Sequence, residues 1–94
     1  MNTNIDDLAL EVKVVADCLF PDRHDATMAL KLYSEIGEMI ESGGAADEVA
    51  DVLIMVLDYA ARKGIAIEEA IRRKNDINMK RSWMFDTNGV AHHV

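Results

Sequence analysis

The sequence predicts an all-α domain of four helices, and three observations carry that expectation. Apolar residues recur at three- and four-residue steps in successive segments, the spacing of one helix face. Helix-ending residues (Pro21, the Gly43–Gly44 pair and Gly64) fall between those segments. Aromatic residues are scarce and there is a single proline, a composition that suits helices.

The first helix is expected to start at an Asn4 or Thr3 cap. Asp6 and Asp7 lie in its first turn, where the helix dipole favours negative charge. Ile5, Leu8, Val12, Val15 and Leu19 form its apolar stripe, and Phe20-Pro21 ends it. The polar run Pro21 to Asp25 is a connector, with Asp25 a candidate cap for a second helix over roughly 26–41. Met28, Leu32, Ile36 and Met39 or Ile40 line that helix, while Lys31, Glu35 and Glu38 follow a neighbouring stripe. A third helix over roughly 45–63 carries Val49, Val52, Leu53, Val56, Leu57 and Ala60, an apolar face wide enough for the central helix. A fourth begins near Ile67 with Glu68 and Glu69 and then turns basic through Arg72, Arg73, Lys74, Lys80 and Arg81. Residues 1–84 make the helical domain on this reading. Residues 85–94 have no period and form a tail, docked through Phe85 and Val90.

At 94 residues the chain is one domain, small enough that oligomerisation would add to its modest core. No apolar run approaches the length that crosses a bilayer, so no membrane partner is expected. Asp6 and Asp7 stand where an export signal would carry basic residues, and a single cysteine, Cys18, suits a reducing compartment; both point to the cytoplasm. The net charge of −7 argues against binding nucleic acid, whose phosphates are held by clustered Lys and Arg.

The chemistry concentrates between Glu35 and Asp51. The chain reads E-I-G-E (Glu35, Glu38), nine residues, then E-V-A-D (Glu48, Asp51). Each half sets two carboxylates three residues apart, neighbours on one helix face. Two antiparallel helices joined at Ser42-Gly43-Gly44 would bring the pairs together, and four facing carboxylates need a cation or water between them. Mg²⁺ (with Mn²⁺ as a substitute) takes a few carboxylates and completes its shell with water and substrate phosphates. Lys74, Asn78 and Arg81, at steps of four and three, share one face if the fourth helix continues that far, and Lys74 and Arg81 would then meet the phosphate end away from the metal. Acidic pairs at this spacing also decorate solvated helices, so spacing alone leaves both readings open. A ferritin-like di-iron site is excluded, because it needs Glu-x-x-His, and His24, His92 and His93 stand in no such context. Trp83 reads either as an anchor for the end of the fourth helix or as a platform for a base.

E-x-x-E, a turn, E-x-x-D and then Lys74, Asn78, Arg81 and Trp83 in the order K-x-x-x-N-x-x-R-x-W resemble the MazG-like all-α nucleoside triphosphate pyrophosphohydrolases. The match runs from about Ala29 to Trp83. The resemblance implies hydrolysis of a (deoxy)nucleoside triphosphate to the monophosphate and pyrophosphate. It implies Mg²⁺ ligands at Glu35, Glu38, Glu48 and Asp51, with Glu38 also orienting the attacking water. It places phosphate contacts at Lys74 and Arg81, the nucleoside near Asn78, and a homodimer or homotetramer completing the bundle. Two departures stand out: the Glu38–Glu48 interval is about a helical turn shorter than expected, making Glu41 an alternative to Glu35, and Ser34 stands where many relatives carry Glu. The rival reading is a non-catalytic helical module of the same fold that binds a nucleotide or a protein.

Overall fold

In the computed structural model, which describes residues 4–94, four helices run over Ile5–Leu19 (α1), Asp25–Glu41 (α2), Ala46–Arg62 (α3) and Ile67–Lys80 (α4). Several of their ends have an identifiable chemical cause. The Asn4 carboxamide oxygen accepts the Asp7 N–H at 2.8 Å and caps α1; Thr3, the other candidate, lies outside the described residues. α2 starts one residue earlier than expected, at Asp25, with His24 as its cap. The Thr27 hydroxyl accepts the His24 N–H and donates to the His24 carbonyl. Asp25 lies inside the helix instead of capping it, and its carboxylate pairs with Lys63, just past the end of α3, at 2.9 Å.

The turn from α2 to α3 sets the site. Gly43 (φ 72°) and Gly44 (φ 87°) occupy the left-handed region, which costs glycine nothing sterically. The Ser42 hydroxyl donates to the Met39 carbonyl and accepts the Ala45 N–H, stitching the end of one helix to the start of the next. Asp6 caps α4 from a distance: its carboxylate accepts the Ile67 N–H at 2.7 Å and, more weakly, that of Glu68. α4 ends at Lys80 and Arg81 is extended, so the helix stops one residue short of carrying Arg81 on the face of Lys74 and Asn78.

As its wide apolar face predicts, α3 is central, packing on both α1 and α2, whereas α4 packs mainly on α1. The core comprises Ala9, Ala16, Met28, Leu57 and Ala60. On α1 the buried residues are alanines, while Leu8, Val15 and Leu19 of the expected stripe are 44%, 56% and 64% exposed. Small residues let two helices approach closely, and the larger ones are left outside, as are Leu10, Val14, Leu30, Tyr33 and Ile40. Among the described residues no helix is long and apolar enough to cross a membrane.

Beyond α4, where a tail docked through Phe85 and Val90 was expected, the chain forms a hairpin. Trp83–Phe85 (β1) and Ala91–His93 (β2) pair antiparallel, with Met84 opposite His92. Asp86 accepts the backbone N–H groups of Asn88 and Val90 and pairs with His92 at 2.9 Å, which closes the turn. Phe85 and Val90 are largely exposed; Trp83 ties the hairpin to α4 instead, its indole N–H donating to the Asn78 carbonyl.

Candidate metal and nucleotide site

The short turn between α2 and α3 lays Glu35 and Glu38 alongside Glu48. One carboxylate oxygen from each of the three lies within 4.8 Å of the others. Glu35 is buried, Glu48 half-buried and Glu38 exposed, so the cluster opens to solvent on the Glu38 side. Among the described residues, Oε2 of Glu35 and Oε2 of Glu48 are buried without a hydrogen-bond partner. Leaving such an oxygen unmatched costs free energy that a bound cation would offset.

The local electrostatics are uneven. The Lys31 ammonium sits 2.8 Å from Glu35 and holds that carboxyl below its usual range. Glu38 is pushed up, first by its hydrogen bond to Glu35, then by the Glu35 charge, and less by desolvation and Glu48. Of the pair, Glu35 keeps its charge and Glu38 holds a proton more readily. Carboxylate oxygens, mutual repulsion and unmatched lone pairs together suit a hard divalent cation. Asp51, one turn along α3, is exposed and outside the three-carboxylate group, and Glu41 also lies outside it.

Beside the acidic cluster a cavity of about 450 Å³ opens between α1, α2 and α3. Its wall is mainly apolar, with Phe20, Met28, Ile54 and Met55, and it shares Glu35 and Asp51 with the acidic face. Deep in the wall, Arg23 clasps Asp58 through two parallel bonds of 2.8 Å, and Asp58 is only 5% exposed. Arg23 also bonds Asp17, at 2.8 Å, and Arg62 flanks Asp58 at 3.3 Å. Asp58 therefore does not extend the acidic line of Glu48 and Asp51, although its spacing along α3 matches theirs. Sequence reasoning passed over Arg23, which lies in what reads as a polar connector. The available signal was Asp58 itself, a carboxylate beside an apolar helix face and in need of a counter-charge.

Over 96 residues the chain is 43% identical to a dATP/dGTP diphosphohydrolase of Cyanophage S-2L, an alignment covering all of this chain and 91% of that protein. The structure of a Cyanophage S-2L MazG-like pyrophosphohydrolase, bound to dGDP and three catalytic Mn²⁺ ions per active site, matches with a TM-score of 0.85 and 41% identity. That match covers 99% of this chain and 94% of the other. The chain belongs to the MazG-like family. A dATP/dGTP diphosphohydrolase of Salmonella phage PMBT28 is 40% identical over 80 residues, 84% of this chain but only 28% of that longer protein. No protein-family model matches. As a MazG-like enzyme, the chain hydrolyses nucleoside triphosphates to monophosphate and pyrophosphate with Mg²⁺ as cofactor, for which Mn²⁺ can substitute.

The second MazG-like motif lies elsewhere in the chain. Lys74 and Asn78 are on α4, Arg81 follows its end and Trp83 opens β1. None of the four lines the cavity, and among the described residues neither Lys74 nor Arg81 forms an ion pair. Asn78 Oδ1 is buried and unmatched among the described residues. Helical spacing tells which of these residues share a face; the packing of α4 on α1 decides what that face meets.

Proposed function

We propose that this chain cleaves dATP and dGTP at the α2–α3 carboxylates, in the cytoplasm, as a homodimer or homotetramer. The observation that carries the site is the convergence of Glu35, Glu38 and Glu48 within 4.8 Å, with two buried oxygens unmatched. Those three hold the metal, and Asp51 joins them from the cavity rim. Divalent ions bound there neutralise phosphate charge and activate a water. Glu38, the most exposed of the three and the one whose proton affinity is raised, orients that water and accepts its proton. Attack on a phosphorus of the α–β anhydride breaks the bridging P–O bond and releases monophosphate and pyrophosphate.

Lys74 and Arg81 hold the phosphates, and Asn78 and Trp83 approach the nucleoside. Because these four stand off the cavity of their own chain, a second copy supplies them. The apolar side chains left exposed on α1 and α2 give that copy a surface to cover. The net charge of −7 argues against a nucleic-acid partner, and the substrate is a free nucleotide.

The test is a panel of NTPs and dNTPs with Mg²⁺ or Mn²⁺, read as monophosphate and pyrophosphate. Release from dATP and dGTP, lost in Glu38→Gln, is expected. No release at enzyme concentrations near the substrate's would overturn the assignment. Mixing inactive Glu38→Gln with inactive Lys74→Ala should restore up to about a quarter of wild-type activity in a two-fold dimer, since half the dimers are mixed and each has one intact site. Mixtures that stay inactive after subunit exchange would place both motifs in one chain.

A further inference from the structure

The cavity between α1, α2 and α3 has a wall that the hydrolytic chemistry does not use. We infer that it is the base pocket and that Arg23 selects purines by donating an N–H to purine N7. This rests on the deoxynucleotide reading above and adds to it a residue and a mechanism of base choice.

Four observations converge. The cavity, at about 450 Å³, lies in the size range of small-ligand sites and is mostly apolar, as a base requires. Glu35 and Asp51 belong to its wall, so a nucleoside seated there leaves its 5′ phosphates beside the carboxylates. Phe20, on the same wall, is 62% exposed, which leaves ring surface free for a planar base to stack on. Arg23 is the fourth. A guanidinium has five N–H groups. Nε and one N–H of Nη2 go to Asp58, the second N–H of Nη2 goes to Asp17, and one N–H of Nη1 goes to the Phe20 carbonyl at 3.1 Å. Among the described residues the last N–H of Nη1 has no acceptor.

A cationic donor held rigidly in an apolar wall selects ligands that carry an acceptor. Adenine and guanine share the N7 acceptor and differ at position 6, whereas pyrimidines lack N7. One donor directed at N7 would therefore accept both purines, while pyrimidines place no acceptor at that position. Asp58 and Asp17 act as positioning residues, fixing the guanidinium plane.

Wild-type enzyme assayed with 7-deaza-dATP and 7-deaza-dGTP, in which C–H replaces N7, tests this without altering the fold. Loss of a charge-assisted bond should lower kcat/KM about tenfold or more relative to dATP and dGTP, mainly through KM. Arg23→Lys, if folded by circular dichroism, should lose most of the discrimination between parent and deaza nucleotides. Deaza analogues cleaved as efficiently as their parents, or dCTP and dTTP cleaved as well as the purines, would overturn the role of Arg23 while leaving the hydrolase reading intact. Failure to cleave dATP and dGTP themselves would instead strike the reading on which it rests.

Discussion

Asp58→Leu removes the carboxylate that Arg23 clasps through two 2.8 Å bonds, and it does so where Asp58 is 5% exposed and the Arg23 side chain 13%. Breaking a buried pair by deleting one partner typically costs about 3–5 kcal/mol, because the survivor is left charged and dry. Arg23 keeps one bond to Asp17, whose side chain is 47% exposed and well hydrated, so the lower end of that range applies. A loss of about 3 kcal/mol in a domain of this size lowers Tm by roughly 12–24 °C. Arg23→Met alone should cost a similar amount, since Asp58 then keeps only Arg62, at 3.3 Å. The double variant R23M/D58L replaces the pair with apolar side chains of similar volume and should return to within about 1 kcal/mol of wild type. Thermal and urea unfolding followed by circular dichroism, at one protein concentration for all four proteins, measures the cycle. Single variants that each lose less than about 1 kcal/mol, or a double variant whose loss is the sum of the singles, would refute the claim that the two charges hold each other in place.

Glu38→Gln should raise the Tm of metal-free protein at pH 7 and abolish the gain that millimolar Mg²⁺ gives the wild type. The folded-state pKa of Glu38 lies above the ordinary value of 4.5, so its charge destabilises the fold at neutral pH. That penalty is relieved as pH falls through the folded value, and the gap between E38Q and wild type should narrow towards pH 4.5. Glu35 acts in the opposite sense: its stabilising contribution is present above 4.5 and is lost as pH falls through its lower folded value. Lys31→Met should therefore weaken the dependence of stability on acid below pH 4.5. Asp6→Ala uncaps α4 and should cost about 1 kcal/mol, or roughly 4–8 °C in Tm. Light scattering should give a mass of at least twice 10.5 kDa, and a monomer with full activity would contradict a site shared between copies.

The four helices, their order and the pairing of two acidic motifs across a glycine turn were legible because each rests on local rules. Apolar spacing, caps and the conformational freedom of Gly43 and Gly44 act over a few residues. The C-terminal hairpin was missed because its fold depends on Asp86 gathering two backbone N–H groups and on Trp83 reaching back to Asn78, neither of which leaves a period in the sequence. Asp25 was misplaced as a cap: it lies inside its own helix and pairs with Lys63, thirty-eight positions away.

By itself, the sequence determined the helical class, the acidic motif that suits a divalent metal and, through resemblance, the family, since all three depend on residue type and short-range spacing. Only the tertiary structure decided that Glu35, Glu38 and Glu48 form the tight group while Asp51 turns to the cavity, and that Asp58 is matched by Arg23. It also decided that Lys74, Asn78, Arg81 and Trp83 stand off the cavity of their own chain. The physical reason is that a helical repeat dictates which side chains share a face. Which face meets which depends on how closely small residues such as Ala9 and Ala16 let the helices approach, and that is a property of the packed whole.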